Sequence, residues 1–523
     1  MENTLKQSQE DIAILKKENT ELQLMVKQLA VSIEKKDNKI QQLFEQLKLA
    51  RHQRFGASSE SHPGQGELFN EAEQIAEDED NTNENPSIEI AKPKRNKPKR
   101  KPLPKDLPRE VILHDLDEAD KVCDCCGKDL HCIGEDKSEK LVFIPAQIKV
   151  IEHVRPKYSC RQCEKDNTKT KIEIASLPSS PIPKSIATPS LLAQIITSKY
   201  QYALPLYRQE SMFKQVGIDL NRKTMSSWML RSAELLKPVY DRLIKHQLQQ
   251  PVIHADETPV KVISEEKINS TMWVYCTGAD SPATDKSPPD HSAIRQIVIY
   301  EYQNSRAGVC PEDYLKNYKG YLQVDGYAGY NKVEATLVGC MAHARRKFME
   351  AKNAQPKGKA GKADMALAKV QKLYRIETEI HPKIAAEKKR IRQEKALPIL
   401  NEFKAWLDKS VQQVLPKSQL GKAISYTLNQ WQKLIEYVND GQLNIDNNRA
   451  ERAIKPFVIG RKNWLFSYTK NGATASAILY SLIETAKANG VMPYDYLDWL
   501  LTELPKDPSN ENVDALLPWK WVR

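Results

Sequence analysis

Val252-Ile253-His254-Ala255-Asp256-Glu257-Thr258 is the stretch on which the reading of the fold turns. It is a short apolar run of strand character that delivers one carboxylate, Asp256, at its end. Gly320-Tyr321-Leu322-Gln323-Val324-Asp325-Gly326-Tyr327 repeats the design and delivers Asp325. Between them, residues 271–277 (Thr-Met-Trp-Val-Tyr-Cys-Thr) and 295–301 (Arg-Gln-Ile-Val-Ile-Tyr-Glu) are rich in β-branched and aromatic residues and read as two further strands. The chain near Pro311 to Tyr318 reads as helical.

Strand, strand, strand, helix, strand is the order of a ribonuclease-H-like α/β domain. Its first and fourth strands lie side by side, so the two aspartates would face each other across the strand ends. Glu257 is the rival at the first position, but strand alternation turns it to the opposite face. A third acid, Glu451, sits in Asp446-Asn447-Asn448-Arg449-Ala450-Glu451-Arg452-Ala453-Ile454, which reads as the opening of a helix. On that helix Asn448, Glu451 and Lys455 share one face at spacings of three and four. Three carboxylates so placed suit a pair of Mg2+ ions roughly 3.5–4 Å apart, the arrangement that drives in-line phosphoryl transfer. Taken singly these acids are weak signals, because the chain has 68 Asp and Glu and strand ends often carry an Asp as a simple cap.

The rest of the 523-residue chain is long enough for several domains. No apolar run is long enough to span a membrane, and the polar N-terminus argues against export. The net charge of +11 is modest, so its clustering matters more than its sum. Residues 1–52 carry a heptad, with Ile12, Asn19, Val26, Ile33, Ile40 and Leu47 at a and Leu15, Leu22, Leu29, Lys36 and Leu43 at d. That pattern predicts a self-associating coiled coil with Asn19 fixing register; the bland alternative is an amphipathic helix packed on its own domain. Residues 53–104 read as a disordered linker, acidic first and then basic from Lys92 to Lys101. The basic run either clamps phosphates or remains a solvated linker.

Residues 105–178 hold two C-x2-C knuckles, Cys123/Cys126 and Cys160/Cys163, with residues 140–155 between them reading as a β-hairpin. Four thiolates in two such turns match a closed, structural Zn2+ site, and in a chain without an export signal metal is favoured over disulfides. Residues 185–245 read as helices. A Gly-containing turn leads into a helix opened by Asn221 with Arg222, Lys223 and Thr224, which fits either a helix-turn-helix DNA reader or an ordinary helical hairpin. Arg345, Arg346, Lys347, Lys455, Arg461 and Lys462 are candidate phosphate contacts beside the acids; otherwise they form a solvated face. Cys340 and His343 have ligand spacing but make an incomplete set, so a core or hydrogen-bonding role is favoured. His254 is read as a core histidine or a phosphate contact.

His254-Ala255-Asp256-Glu257-Thr258, the segment Gln323 to Tyr330 and the segment Asn447 to Pro456 closely resemble the three acidic motifs of the insertion-sequence-66 group of bacterial transposases. Gly460 to Phe466, Cys340 to Phe348, Arg54 to Glu60 and the knuckles match that group as well, in order along the chain. Only the Cys-Asp-Cys-Cys-Gly form of the first knuckle departs from it, through Cys125. The resemblance implies a DDE transposase in which Asp256, Asp325 and Glu451 are the catalytic triad, served by Mg2+ or Mn2+. It would cleave the ends of a mobile element and join them to target DNA in the bacterial cytoplasm, at the nucleoid. Accessory transposition proteins are candidate partners, since the group's genes sit beside smaller accessory genes.

The expected organisation is therefore a catalytic domain at 250–345 and 440–489, interrupted by a helical insertion at 346–439 and followed by a C-terminal element at 490–523. Two rival readings stand beside it: a metal-dependent nuclease that cuts without joining, and a zinc-dependent DNA-binding regulator with a vestigial triad.

Overall fold

In the structure, a computed structural model, the described residues are 19–33, 35–37, 39–40, 43–44, 148–158, 173–265, 269–278, 295–354 and 361–521. The linker at 53–104 and the four knuckle cysteines lie outside them. Within the heptad segment the described residues are helical, with Val26, Leu29 and Ile33 all more than half exposed. The chain divides into two compact units, 83–177 and the remainder.

In the smaller unit, β1 (Lys157–Tyr158) pairs antiparallel with β2 (Glu173–Ile174). The hairpin expected at 140–155 is not formed over its described part, since residues 148–155 contain no strand. Their apolar side chains are uncovered, Val150 being 93% exposed, and β-propensity without a buried face does not fix a strand.

The larger unit opens with three helices. Thr188 caps α1 (Pro189–Tyr200) by accepting from the Leu191 N–H. After α2 (Leu206–Gln215) the chain turns through Gly217 at φ +81°, a left-handed conformation that favours glycine. Asn221 then caps α3 (Arg222–Gln247) through the Lys223 N–H at 2.8 Å. This helix runs to Gln247, because Val239, Tyr240 and Leu243 continue its buried stripe.

A five-stranded mixed sheet follows: β3 (Val252–Lys261), β4 (Asn269–Cys276), β5 (Val298–Gln303), β6 (Tyr321–Gln323) and β7 (Thr336–Val338), in the spatial order β5-β4-β3-β6-β7. The first three strands are antiparallel neighbours, while β6 and β7 run parallel to β3. The first and fourth strands are thus adjacent, as expected. Asp256 is not at a strand end, however: β3 continues to Lys261 against β4, and only its parallel pairing with β6 stops, at His254↔Gln323. Asp325 lies two residues beyond β6. The helix in this region is shorter than expected, α4 at Val309–Tyr314, and β7 is an additional strand too short to show a period.

The two faces of β3 feed two cores. Ile253 and Ala255 pack with Trp273, Tyr275, Leu322 and Tyr330, whereas Val260 and Val262 join Met272 and Val274 in a core shared with α1, α3 and the later helices. Edge strand β5 is sealed by side chains of a helix at Lys470–Ala488: the Tyr300 N–H donates to Ser481 Oγ (2.7 Å) and the Val298 N–H to Thr485 Oγ1 (3.0 Å).

The helical insertion begins with α5 (Met341–Ala354), continues through α6 (Lys362–Ile380), α7 (Ala385–Ile391), α8 (Leu397–Val411), α9 (Gln419–Asn429) and α10 (Trp431–Ile435), and ends in a 3-10 turn at Glu436–Asn439. It has its own core, which includes Phe348, Leu373, Phe403 and Trp431. Then come α11 (Asn448–Trp464), α12 (Lys470–Ala488), α13 (Pro493–Glu503) and α14 (Asn510–Ala515). Trp464 ends α11, and Leu465 at φ +68° turns the chain so that Ser467 bridges Val262. Among the described residues no helix is long and apolar enough to cross a membrane.

Candidate active site

Two separate pieces of chain converge on Asn447, the residue before α11. Its side-chain amide donates to the Ala255 carbonyl (2.8 Å), and its Oδ1 meets His254 Nδ1 at 3.1 Å. Its backbone N–H donates to Cys340 Sγ at 3.2 Å, just beyond β7. Asn447 stands at the N-cap position yet makes no side-chain cap, because that side chain is spent on β3. From β6, the fully buried Gln323 grips the approach to the helix, donating to the carbonyls of Asn444 (2.8 Å) and Asp446 (2.7 Å) and accepting from the Asn444 N–H (3.0 Å).

These bonds bring one turn of α11 over the strands that carry the aspartates. Glu451 is 2% exposed. Burial, then the charges of Glu257 and Asp325, and to a lesser degree Glu451, push the Asp256 carboxyl well above the usual carboxylate range. The Asp256 carboxyl therefore feels the charges of both Asp325 and Glu451. Asp325 Oδ1 accepts the Tyr327 N–H at 2.8 Å, which fixes its turn. Carboxylates gathered in this way, Glu451 buried and the two aspartates half-buried, suit a cation, and all-oxygen donors suit Mg2+ or Mn2+. The donor set fits the ion.

Glu257 points to the other face, as alternation requires. It accepts from Tyr330 OH at 2.8 Å and from Arg306, whose guanidinium also lies 4.1 Å from the centre of the Tyr327 ring. The turn after Asp325 is thereby tied back to β3. Gly326 passes so close to Tyr426 of α9 that an added Cβ would lie 2.7 Å from the ring, so the insertion walls the site.

His343 in the first turn of α5 approaches Glu451, Nδ1 to Oε1 at 3.6 Å, and Arg346 faces Oε2 at 3.9 Å. Burial, then Arg346, pushes the His343 ring down to about 4, so at neutral pH the ring is uncharged and the contact is not an ion pair. Cys340, His343 and Glu451 donor atoms all lie within 4.8 Å of one another. The set that looked incomplete in sequence gains its third member from α11.

The expected basic contacts divide. Arg461 is structural in this fold, donating to Thr258 Oγ1 (3.0 Å) and the Pro259 carbonyl at the far end of β3. Lys347 lies over the Tyr426 ring at 4.7 Å, and Arg345 and Lys455 are half-buried. Lys462 is exposed. Arg222, Lys223 and Thr224 sit exposed in the first turn of α3, and Lys223 and Thr224 line an open pocket of about 500 Å³ with Lys184, Ser227 and Arg231. His254 is the satisfied core histidine of the two readings. Asn447 and Gln323 were missed as positioning residues; their side-chain chemistry was visible, but their partners were not.

The sequence model of the Transposase IS66 family matches residues 184–475. Residues 120–164 match the zinc-finger binding domain of transposase IS66, 42–112 match a segment described as Transposase C of IS166 homeodomain, and 481–519 match the IS66 C-terminal element. Among curated relatives, the uncharacterized protein y4jD of Sinorhizobium fredii is 34% identical over 433 residues, covering 80% of this chain and 81% of its own. The uncharacterized protein y4hP of the same organism is 33% identical over 448 residues, covering 82% and 78%.

Proposed function

The chain belongs to the IS66 family of transposases, and on that footing we propose that it cuts DNA at the ends of a mobile insertion sequence and transfers the freed strands to a target. What supports this chemistry is the placement of Glu451 in the first turn of α11, which Asn447 pins to β3 beside Asp256, with the charges of Asp325 and Glu451 both acting on the Asp256 carboxyl. The sheet order, with β3 beside β6, supports a ribonuclease-H-like catalytic domain interrupted by the helical insertion.

Asp256, Asp325 and Glu451 would hold two Mg2+ or Mn2+ ions, which when bound supply the charge that activates an attacking oxygen and stabilises the leaving one. The protein's own part is placement. Asn447 and Gln323 set α11 against the strands, the Glu257–Arg306–Tyr327 contacts hold the Asp325 turn, and Tyr426 with Gly326 narrows the cleft. Arg345, Arg346, Lys347, Lys455 and Lys462 offer positive charge along α5 and α11 to phosphates that the acids alone would repel. Arg222, Lys223 and Thr224 would touch DNA from the start of α3. The knuckle cysteines Cys123, Cys126, Cys160 and Cys163 would hold structural zinc, and the heptads would join protomers. No nucleophilic side chain is required, since water and then a DNA 3′-hydroxyl supply the attacking oxygens.

The test is a cleavage and joining assay with duplexes carrying the element's own ends, a target plasmid and Mg2+. End-to-target joints that vanish in Asp256→Asn support the reading. Nicks without joints would leave a nuclease, and binding without any cut would leave a regulator.

A further inference from the structure

Cys340, His343 and Glu451 bring together a thiol, an imidazole and a carboxylate from β7's exit, the first turn of α5 and the first turn of α11. Their donor atoms lie within 4.8 Å of one another. Neither aspartate belongs to this group. Cys340 and Glu451 are buried, at 1% and 2% exposure, and the buried Nδ1 of His343 has no hydrogen-bond partner among the described residues. The Asn447 N–H at 3.2 Å holds the sulfur toward the start of α11.

Mixed sulfur, nitrogen and oxygen donors are what a borderline-soft divalent cation takes, whereas Mg2+ takes oxygen. Bonds of about 2.0–2.3 Å put the donors of a tetrahedral zinc site roughly 3.3–3.8 Å apart. A donor spread of up to 4.8 Å closes to that by modest side-chain rotation. A fourth position is left for water or a DNA oxygen.

We propose that Cys340, His343 and Glu451 form a site for one Zn2+-class cation, separate from the knuckle zinc, and that filling it withdraws Glu451 from Asp256 and Asp325. The thiol gives up its proton to solvent on binding. The chain would then be switched off by zinc while Mg2+ is present. The withdrawal rests on the catalytic role proposed for Glu451; the binding does not.

Two measurements on the full chain separate these parts. With the knuckles saturated in Zn2+, Co2+ titrated into the wild type should give thiolate-to-cobalt charge-transfer absorption saturating at one further equivalent. That signal should weaken in Cys340→Ser and His343→Ala, with affinity falling at least roughly tenfold. No such band in the wild type overturns the site, whatever the variants do. If the band appears, added Zn2+ at fixed Mg2+ should inhibit DNA cleavage by the wild type at a concentration at least roughly tenfold lower than that needed for Cys340→Ser, each relative to its own zinc-free rate. Equal inhibition of both would overturn the competition for Glu451 while leaving the metal site standing.

Discussion

His254 Nδ1 and Asn447 Oδ1 lie 3.1 Å apart in the buried seam between β3 and α11. The bond joins residues far apart in sequence and fixes where a helix starts relative to a strand. Asp256 is two residues beyond one partner and Glu451 four beyond the other. The geometry of the candidate site is thus set by side chains next to the acids rather than by the acids themselves.

Asn447→Ala removes that bond together with the one to the Ala255 carbonyl. The expected cost is about 2–3 kcal/mol of stability, read from urea unfolding, with cleavage reduced further than the stability loss explains because Glu451 is no longer aimed. Full activity in a folded Asn447→Ala protein would mean the seam does not position the glutamate.

Asp256→Asn should abolish cleavage and, in metal-free protein, raise stability. Burial and neighbouring charge already disfavour the ionised Asp256, so replacing the carboxyl with a neutral amide relieves that destabilisation. Thermal melts in chelator would record a higher midpoint for the variant; a lower one contradicts the charge crowding.

Glu301 on β5 tests the linkage away from the site. Burial pushes its carboxyl up from 4.5 to about 7. A raised value means the folded state holds the proton more tightly, so this contribution is full below about pH 4.5 and is lost as pH rises through 7. Wild-type stability should fall by roughly 2 kcal/mol from pH 5 to pH 8 on this account, and Glu301→Gln should flatten that part of the profile.

Gly326→Ala would press a methyl group to within 2.7 Å of the Tyr426 ring. A loss of about 1–3 kcal/mol is expected. Adding Tyr426→Ala should recover part of it, giving a coupling energy in a double-mutant cycle. Additive effects would place the strain elsewhere.

Strand content was legible because apolar and β-branched runs carry their period with them. The adjacency of β3 and β6 was legible from element order alone. What escaped the sequence was pairing between distant residues. Asn447 resembles an ordinary cap until the Ala255 carbonyl is seen beneath it, and Cys340 and His343 lack a partner until α11 arrives. The extent of β3 past Asp256 was hidden because its continuation, Thr258-Pro259-Val260-Lys261, carries a proline and little apolar character. That part of β3 is held by β4 and Arg461 instead. Residues 148–155, the described part of the expected hairpin, form no strand for the opposite reason, a strand-like composition whose apolar side chains stay exposed.

The 26 residues of α3 form one helix of about 39 Å, with Pro238 in its interior. Its far end is bolted to the sheet, where Gln247 donates to the Tyr275 carbonyl and accepts from Tyr314 OH. A rod of that length corresponds to about 11 base pairs of duplex at 3.4 Å each. If Arg222 and Lys223 grip DNA, helix length becomes a ruler, setting how far from the recognised sequence the strand is cut. Lengthening α3 by two turns would then move the cleavage position outward without altering either the grip or the chemistry.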